Sequence, residues 1–279
     1  MTQQNWTLDK HIIQTMPTLT QSPKFGCTIL GSGSSGNATV IHGPKGNLLL
    51  DAGFSAVEIR RRLKRVDINP ASIRAILITH AHTDHTNGCT VFSHQNSIPV
   101  YLIPETVLIM KRRKMPQELK MFDVETAFKL CGIQIQPFIV SHDTPAVGFT
   151  FSACGKKIGF ATDLGYVSDS IKKHLEGCDL LVLESNYDSY RLRRSQRSLC
   201  LKRRIAGKFG HLGNTQAMDA LGDLLAENTK HLVLAHISRE CNDYQLVSKL
   251  AEARLSELNR NIAFHVARQD APLDTIALA

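Results

Sequence analysis

His80-Ala81-His82-Thr83-Asp84-His85 places three imidazoles and a carboxylate within six residues. Those are the donors that zinc and similar divalent ions take. Four such side chains on one tight loop exceed the needs of a single ion with an open coordination position, so the loop can serve two ions. Further ligands must then come from elsewhere, and His142, Asp163 and His236 are the candidates. An aspartate set between two ions is suited to bridge them. The chemistry of such a centre is hydrolysis, by polarising a substrate and activating water at neutral pH.

The same residues share a place in the hydrophobic pattern. AILIT (75–79) runs into His80, IQIQPFIV (133–140) leads to His142, and IGFAT (158–162) meets Asp163. LLVL (180–183) meets Glu184, and LVLA (232–235) meets His236. Ligands in α/β sheets gather at the carboxyl ends of strands, so five such ends on one edge would build a site. Earlier strands are expected over 25–30, 38–41 and 48–51, and later ones over 147–152, 157–162 and 262–266. Ser55 and Glu58 form a capping-box pattern that opens a helix to Arg65. More helices are expected over 104–114, 168–174, 214–227 and 244–258. Strands that alternate with helices after initial hairpins predict an α/β chain of mixed sheets with helices outside.

Composition narrows the classes. The 279 residues are 43% hydrophobic, enough for a full core and too apolar for a disordered chain. No run of 18 uncharged apolar residues offers a membrane span. Aromatic content of 6% argues against a binder built on many stacking platforms. The seven cysteines stand alone without a CxxC pair, which fits a reducing cytoplasm. The polar first 24 residues read as a flexible arm ahead of one domain, 25–279.

Two further features bear on ligands. Gly31-Ser-Gly33-Ser-Ser-Gly36 matches the dinucleotide fingerprint, but a strand pattern follows where that site needs a helix. A nicotinamide cofactor is therefore not expected; a hairpin turn, or a backbone nest over the active site, is. Thirty-three basic against 25 acidic residues leave a net charge of +8. Basic clusters lie at Arg60–Arg65, at Lys111–Lys114, and from Arg191 to Lys208, where eight cations meet no acid. The first reads as a solvated helix face and the second as a helix end favoured by the macrodipole. The third suits a phosphodiester backbone, with Arg193 and Arg194 as candidate contacts.

The constellation resembles the metallo-β-lactamase superfamily over about residues 25–266. Its HxHxDH motif stands here as THAHTDH (79–85), its first motif as LLLDAG with Asp51, and its later ligand motifs as SHDT, TDLG and LAHIS. The resemblance implies a four-layer αβ/βα sandwich, two mixed sheets flanked by helices. It implies that His80, His82 and His142 hold one metal, that Asp84, His85 and His236 hold the second, and that Asp163 bridges. Asp51 would orient the metal loop without binding metal. LGSGSSGN, LESNYD, GHLGN and LAHISRECN look most like the YycJ-type (WalJ-type) branch, which is linked to exonuclease action on DNA. A wider similarity, to tRNase Z, implies a proton relay made of Glu184 and His211. One departure is Tyr187, where many YycJ-type chains carry histidine in ESNHD; if that position feeds the site, the proton chemistry or base contact changes.

The resulting expectation is a phosphodiesterase with two divalent ions, Zn2+ or Mn2+. It would act on nucleic acid, DNA ahead of RNA, as an exonuclease with no membrane partner. Asp84 would orient the nucleophile as well as bind metal. Two rivals stand beside it: a small-molecule hydrolase of the same fold (cyclic phosphodiesterase, glyoxalase II-type thioesterase or lactonase), and a nucleic-acid-binding protein with a vestigial site.

Overall fold

The computed structural model describes residues 23–111 and 114–279. Residues 1–22 of the expected arm, and Arg112 and Arg113 of the second basic cluster, lie outside them. The strands of the first half are β1 (Gly26–Gly31), β2 (Ala38–His42), β3 (Asn47–Leu50), β4 (Ile73–Leu77), β5 (Val100–Leu102) and β6 (Leu119–Met121). Those of the second are β7 (Phe128–Leu130), β8 (Ile133–Val140), β9 (Ala146–Ala153), β10 (Lys156–Ala161), β11 (Leu180–Glu184), β12 (His231–Ala235), β13 (Ala263–Val266) and β14 (Ile276–Ala277). The helices are α1 (Ala56–Arg65), α2 (Thr83–Thr86), α3 (Cys89–Asn96), α4 (Pro104–Met110), α5 (Asp169–Leu175), α6 (Ser189–Arg194), α7 (Leu199–Ile205), α8 (Asn214–Leu224) and α9 (Tyr244–Glu257).

Among the described residues these strands form two mixed seven-stranded sheets, ordered β14-β1-β2-β3-β4-β5-β6 and β13-β12-β11-β10-β9-β8-β7. Apolar residues on both faces explain why LLVL and HLVLA form central strands. Phe149, Phe151, Leu48 and Val182 fill the space between the sheets. α1 and α3 cover the outer face of the first sheet through Ile59, Leu63 and Phe92. α5, α8 and α9 cover that of the second through Leu175, Leu221 and Val247. This is the expected αβ/βα sandwich. No described helix is long and apolar enough to cross a membrane.

The topology sets the site. β3 and β4 are parallel. β10, β11 and β12 are parallel, and β8 reaches β10 through two antiparallel steps. The carboxyl ends of β8, β10, β11 and β12 therefore lie on one edge of their sheet. The Val147 amide donates to the Thr79 carbonyl (3.1 Å), which ties that edge to the end of β4.

Several local expectations change. Ser55 caps α1 by accepting from the Glu58 amide, but the Glu58 carboxylate is taken by Arg61 and Arg62, so half the expected box forms. Arg62 is buried, not solvated, and donates to the carbonyls of Leu30 and Gln269 (2.8 Å each). α4 stops at Met110 and α8 at Leu224, short of the expected ends. The third basic cluster folds into α6 and α7, capped by Asp188 and Ser198. The glycine-rich segment 31–36 is the turn of the β1–β2 hairpin, with a strand after it.

Candidate metal centre

The five histidines of the expected ligand sets meet at this edge, and each has one ring nitrogen tied outward. His85 Nδ1 donates to Asp51 (2.7 Å) and His236 Nδ1 to Glu184 (2.6 Å). His142 Nδ1 donates to the Gly210 carbonyl (3.1 Å). Thr79 Oγ1 donates to Asp51 and so accepts from His80 Nδ1 (3.0 Å). His82 Nε2 faces Asp143 (3.2 Å). The remaining nitrogens point inward. His80 Nε2 and His142 Nε2 lie 3.0 and 3.3 Å from His82 Nδ1. With the ring hydrogens outward, three lone pairs converge, which a cation resolves. An outer carboxylate or carbonyl that fixes the tautomer is the usual support of a metal-ligating histidine.

A second set lies alongside. Asp84 Oδ2 is 3.5 Å from both His85 Nε2 and His236 Nε2. Asp163 borders both sets, 3.4 Å from His85 Nε2 and 4.0 Å from His142 Nε2. Donor atoms of His80, His82 and His142, and those of Asp84, His85 and His236, each cluster closely enough to hold an ion. Asp163 Oδ2 and His236 Nε2 are buried with no hydrogen-bond partner. Buried polar atoms are rarely left so, and both point into the cluster. The residues present therefore fit a divalent metal.

The backbone is bent to serve this arrangement. Asp51, Asp163 and His236 follow strand ends with φ of 60°, 58° and 55°. Side chains there turn in from the strand at a conformational cost. A Cβ on Gly53 would lie 1.6 Å from the Asp84 carbonyl, so glycine lets the Asp51 loop pack on the metal loop. Asn37 laces the two: its amide donates to the Asp84 carbonyl and its carbonyl accepts from Gly53 (2.8 Å each).

Electrostatics agree with a cation site. Burial pushes the Asp84 carboxyl up, but His236 and His85 outweigh it and hold the group below the usual carboxylate range. Burial likewise opposes, and His211 and His236 overcome it, at Glu184. Burial disfavours a proton on His236, yet Asp163, Asp84 and Glu184 push the imidazole up to about 10. His80, buried beside His85 and His142, is held well below its ordinary value. The carboxylates thus demand positive charge that protons on imidazole or a metal ion can supply.

Glu184 has four donors. His211 Nδ1 (2.9 Å) and His236 Nδ1 share Oε1, and the amides of Leu164 and Leu212 reach Oε2 (3.2 and 2.9 Å). It therefore joins His211 to the second ligand set, a link the sequence reading did not contain. His211 lines a cavity of about 250 Å³ with His82, Asp84, Asp163, Arg197 and Arg204. Arg193 instead lines a neighbouring cleft with Tyr187, and Arg194 lies over the Tyr190 ring. Tyr187 packs with Leu192, Ile205 and Cys241 and donates to Gln216 (3.3 Å). It does not line the ligand cavity.

Sequence reasoning passed over Asp143, which pairs with Arg204 and faces His82. It named Arg193 and Arg194 as phosphate contacts, whereas the guanidinium groups that line this cavity are those of Arg197 and Arg204. A usable signal was present: counted from the Ser198 cap, Leu201, Arg204 and Ile205 share a helix face, and all three line it.

Fold and centre together define a hydrolase: the chain belongs to the metallo-β-lactamase superfamily, and the beta-lactamase superfamily domain matches residues 46–237. Membership implies a divalent metal, typically zinc. Exodeoxyribonuclease YycJ of Bacillus anthracis is 32% identical over 254 residues, 89% of this chain and 96% of that protein. Exodeoxyribonuclease WalJ of Streptococcus pneumoniae is 34% identical over 242 residues, 83% of this chain and 90% of that one. The short form of human tRNase Z superposes with a TM-score of 0.61 at 18% identity, covering 89% of this chain and 98% of that structure.

Proposed function

We propose that residues 25–279 are one domain, a cytoplasmic dinuclear-metal phosphodiesterase that degrades DNA as an exonuclease. The observation that carries this reading is the shared cavity: the ligand cluster, His211 and two guanidinium groups, Arg197 and Arg204, line the same space. Guanidinium forks match phosphate oxygens. The names of the two bacterial relatives, exodeoxyribonucleases that the chain covers over 96% and 90% of their lengths, support it.

His80, His82 and His142 would hold one ion, Asp84, His85 and His236 the other, and Asp163 both. Zinc or manganese bound there supplies Lewis acidity to the phosphoryl group and acidifies water. Asp51 and Glu184 keep the tautomers of His85 and His236 that leave Nε2 without a proton. Asp84 accepts a hydrogen bond from the attacking water. Glu184 holds His211 Nδ1, so the other ring nitrogen is the one able to protonate the leaving oxygen. Arg197 and Arg204 grip the phosphates nearest the cluster, while Arg193 and Arg194 hold the strand further out.

Protein reconstituted with zinc or with manganese, given end-labelled single- and double-stranded DNA and RNA, tests this directly. A ladder that starts from one end of DNA is expected. No cleavage of any polymer, by protein shown to carry two metals, would favour the small-molecule hydrolase. Binding carries its own prediction: alanine at Arg197 or Arg204 should lower the slope of log Kd against log salt by about one each. Alanine at Arg193 and Arg194 should also flatten it, and an unchanged slope would remove them from the phosphate contacts.

A further inference from the structure

A second cavity, of about 530 Å³, adjoins the metal centre and shares His142 and Asp143 with it. Two aromatic rings line it, Tyr166 and Phe209, 37% and 58% exposed. Large apolar rings turned to solvent beside a reaction centre call for an occupant. Their backbones are pinned. The Gly165 amide donates to the Ser141 carbonyl, and Ser141 Oγ donates to the Lys208 carbonyl (2.9 Å each). His142 Nδ1 donates to the carbonyl of Gly210 (3.1 Å). Phe209 thus has a hydrogen-bonded carbonyl on either side, and Tyr166 follows an anchored glycine. A Cβ on Gly165 would lie 2.2 Å from the Lys208 carbonyl, so the two loops are in direct contact. Lys208 Nζ stands 5.2 Å from the Tyr166 ring centre and adds a cation to the same rim.

We propose that Tyr166 and Phe209 form a subsite that stacks one unpaired base next to the phosphodiester to be cleaved. The inference rests on the nucleic-acid reading above and specifies what the substrate must present. The wall is rigid and aromatic, and every base has a face that can stack on it. Lys208 beside Tyr166, and Arg204 paired with Asp143 at the junction of the two cavities, suit the backbone on either side of that base. A base inside a duplex has both faces covered by its neighbours. The subsite therefore selects a frayed or single-stranded nucleotide at the reacting end. One platform of this kind is compatible with the low aromatic content of the chain.

The test uses zinc-loaded Asp84→Ala protein, which should hold a strand uncut, and short single-stranded DNA carrying 2-aminopurine at successive positions from the end. Quenching at one position is expected. The same strand made abasic at that position should bind roughly tenfold more weakly. Phe209→Ala and Tyr166→Ala should remove both the quenching and the preference for the intact base, and Phe209→Trp should restore them. Equal affinity for intact and abasic strands, from a protein whose wild type degrades DNA, overturns the subsite and leaves the nuclease reading standing. Failure of the wild type to bind or cut any strand overturns the nuclease reading and the subsite with it. Quenching without cleavage by the wild type supports the subsite and refutes the nuclease.

Discussion

Alanine at Asp84 is expected to lower the rate of DNA cleavage by roughly a thousandfold, the scale of a positioned acid–base group, and more if the second ion is lost with it. Its Oδ2 lies between His85 Nε2 and His236 Nε2, 3.5 Å from each. Without the carboxylate, the second ligand set keeps two imidazoles and only the shared Asp163 to organise an ion and a water. The fold should survive. The loop is held through the Asp84 carbonyl, which accepts from the Asn37 amide, and that bond does not involve the side chain. The measurement is the initial rate of ladder formation beside metal content and melting temperature. A folded variant that cleaves at the wild-type rate would remove Asp84 from the reaction.

The second large effect concerns proton delivery. Alanine at His211 should reduce kcat on DNA by about 10²–10⁴-fold, the range of general acid catalysis, with metal content retained. The ring is part-exposed and held by Glu184, so its loss opens no core cavity. On bis(p-nitrophenyl) phosphate the loss should be far smaller, because p-nitrophenolate leaves without a proton. Equal losses on both substrates would assign His211 a binding role. Glutamine at Glu184 should behave differently. The same oxygen that holds His211 holds His236, so Glu184→Gln should cost metal as well as turnover.

That double role marks where sequence reasoning ran out. The strand ends could be read because the runs before Glu184 and His236 are apolar and buried on both faces, the run before His142 is largely apolar with an alternating start, and a polar residue breaks each. Four of these local patterns converge because their strands share an edge of one sheet, and the fifth, at the end of β4, meets them from the other sheet. Which nitrogen of His236 faces which carboxylate depends on the crossing of β10, β11 and β12, and no local pattern encodes it. The short strands Val100–Leu102 and Leu119–Met121 were equally hidden. Three residues carry little periodicity, and parallel neighbours define these two. The arginines show a different limit: a charge run has no direction until capping residues divide it into helices. Ser198 sets the phase of α7 that brings Arg204 to the cavity, while Arg193 sits on α6 behind the Asp188 cap and lines a separate cleft.

The left-handed backbone at Asp51, Asp163 and His236 has an evolutionary consequence. Each such residue costs on the order of 1–3 kcal/mol, against a total stability of roughly 5–15 kcal/mol for a typical domain. Aspartate and histidine tolerate the conformation better than most residues, and glycine tolerates it best. A lineage selected for heat resistance alone would drift to glycine at these three positions and lose its hydrolase activity on the way. A donor at every one of them places chemistry ahead of stability, and that choice is written in the backbone.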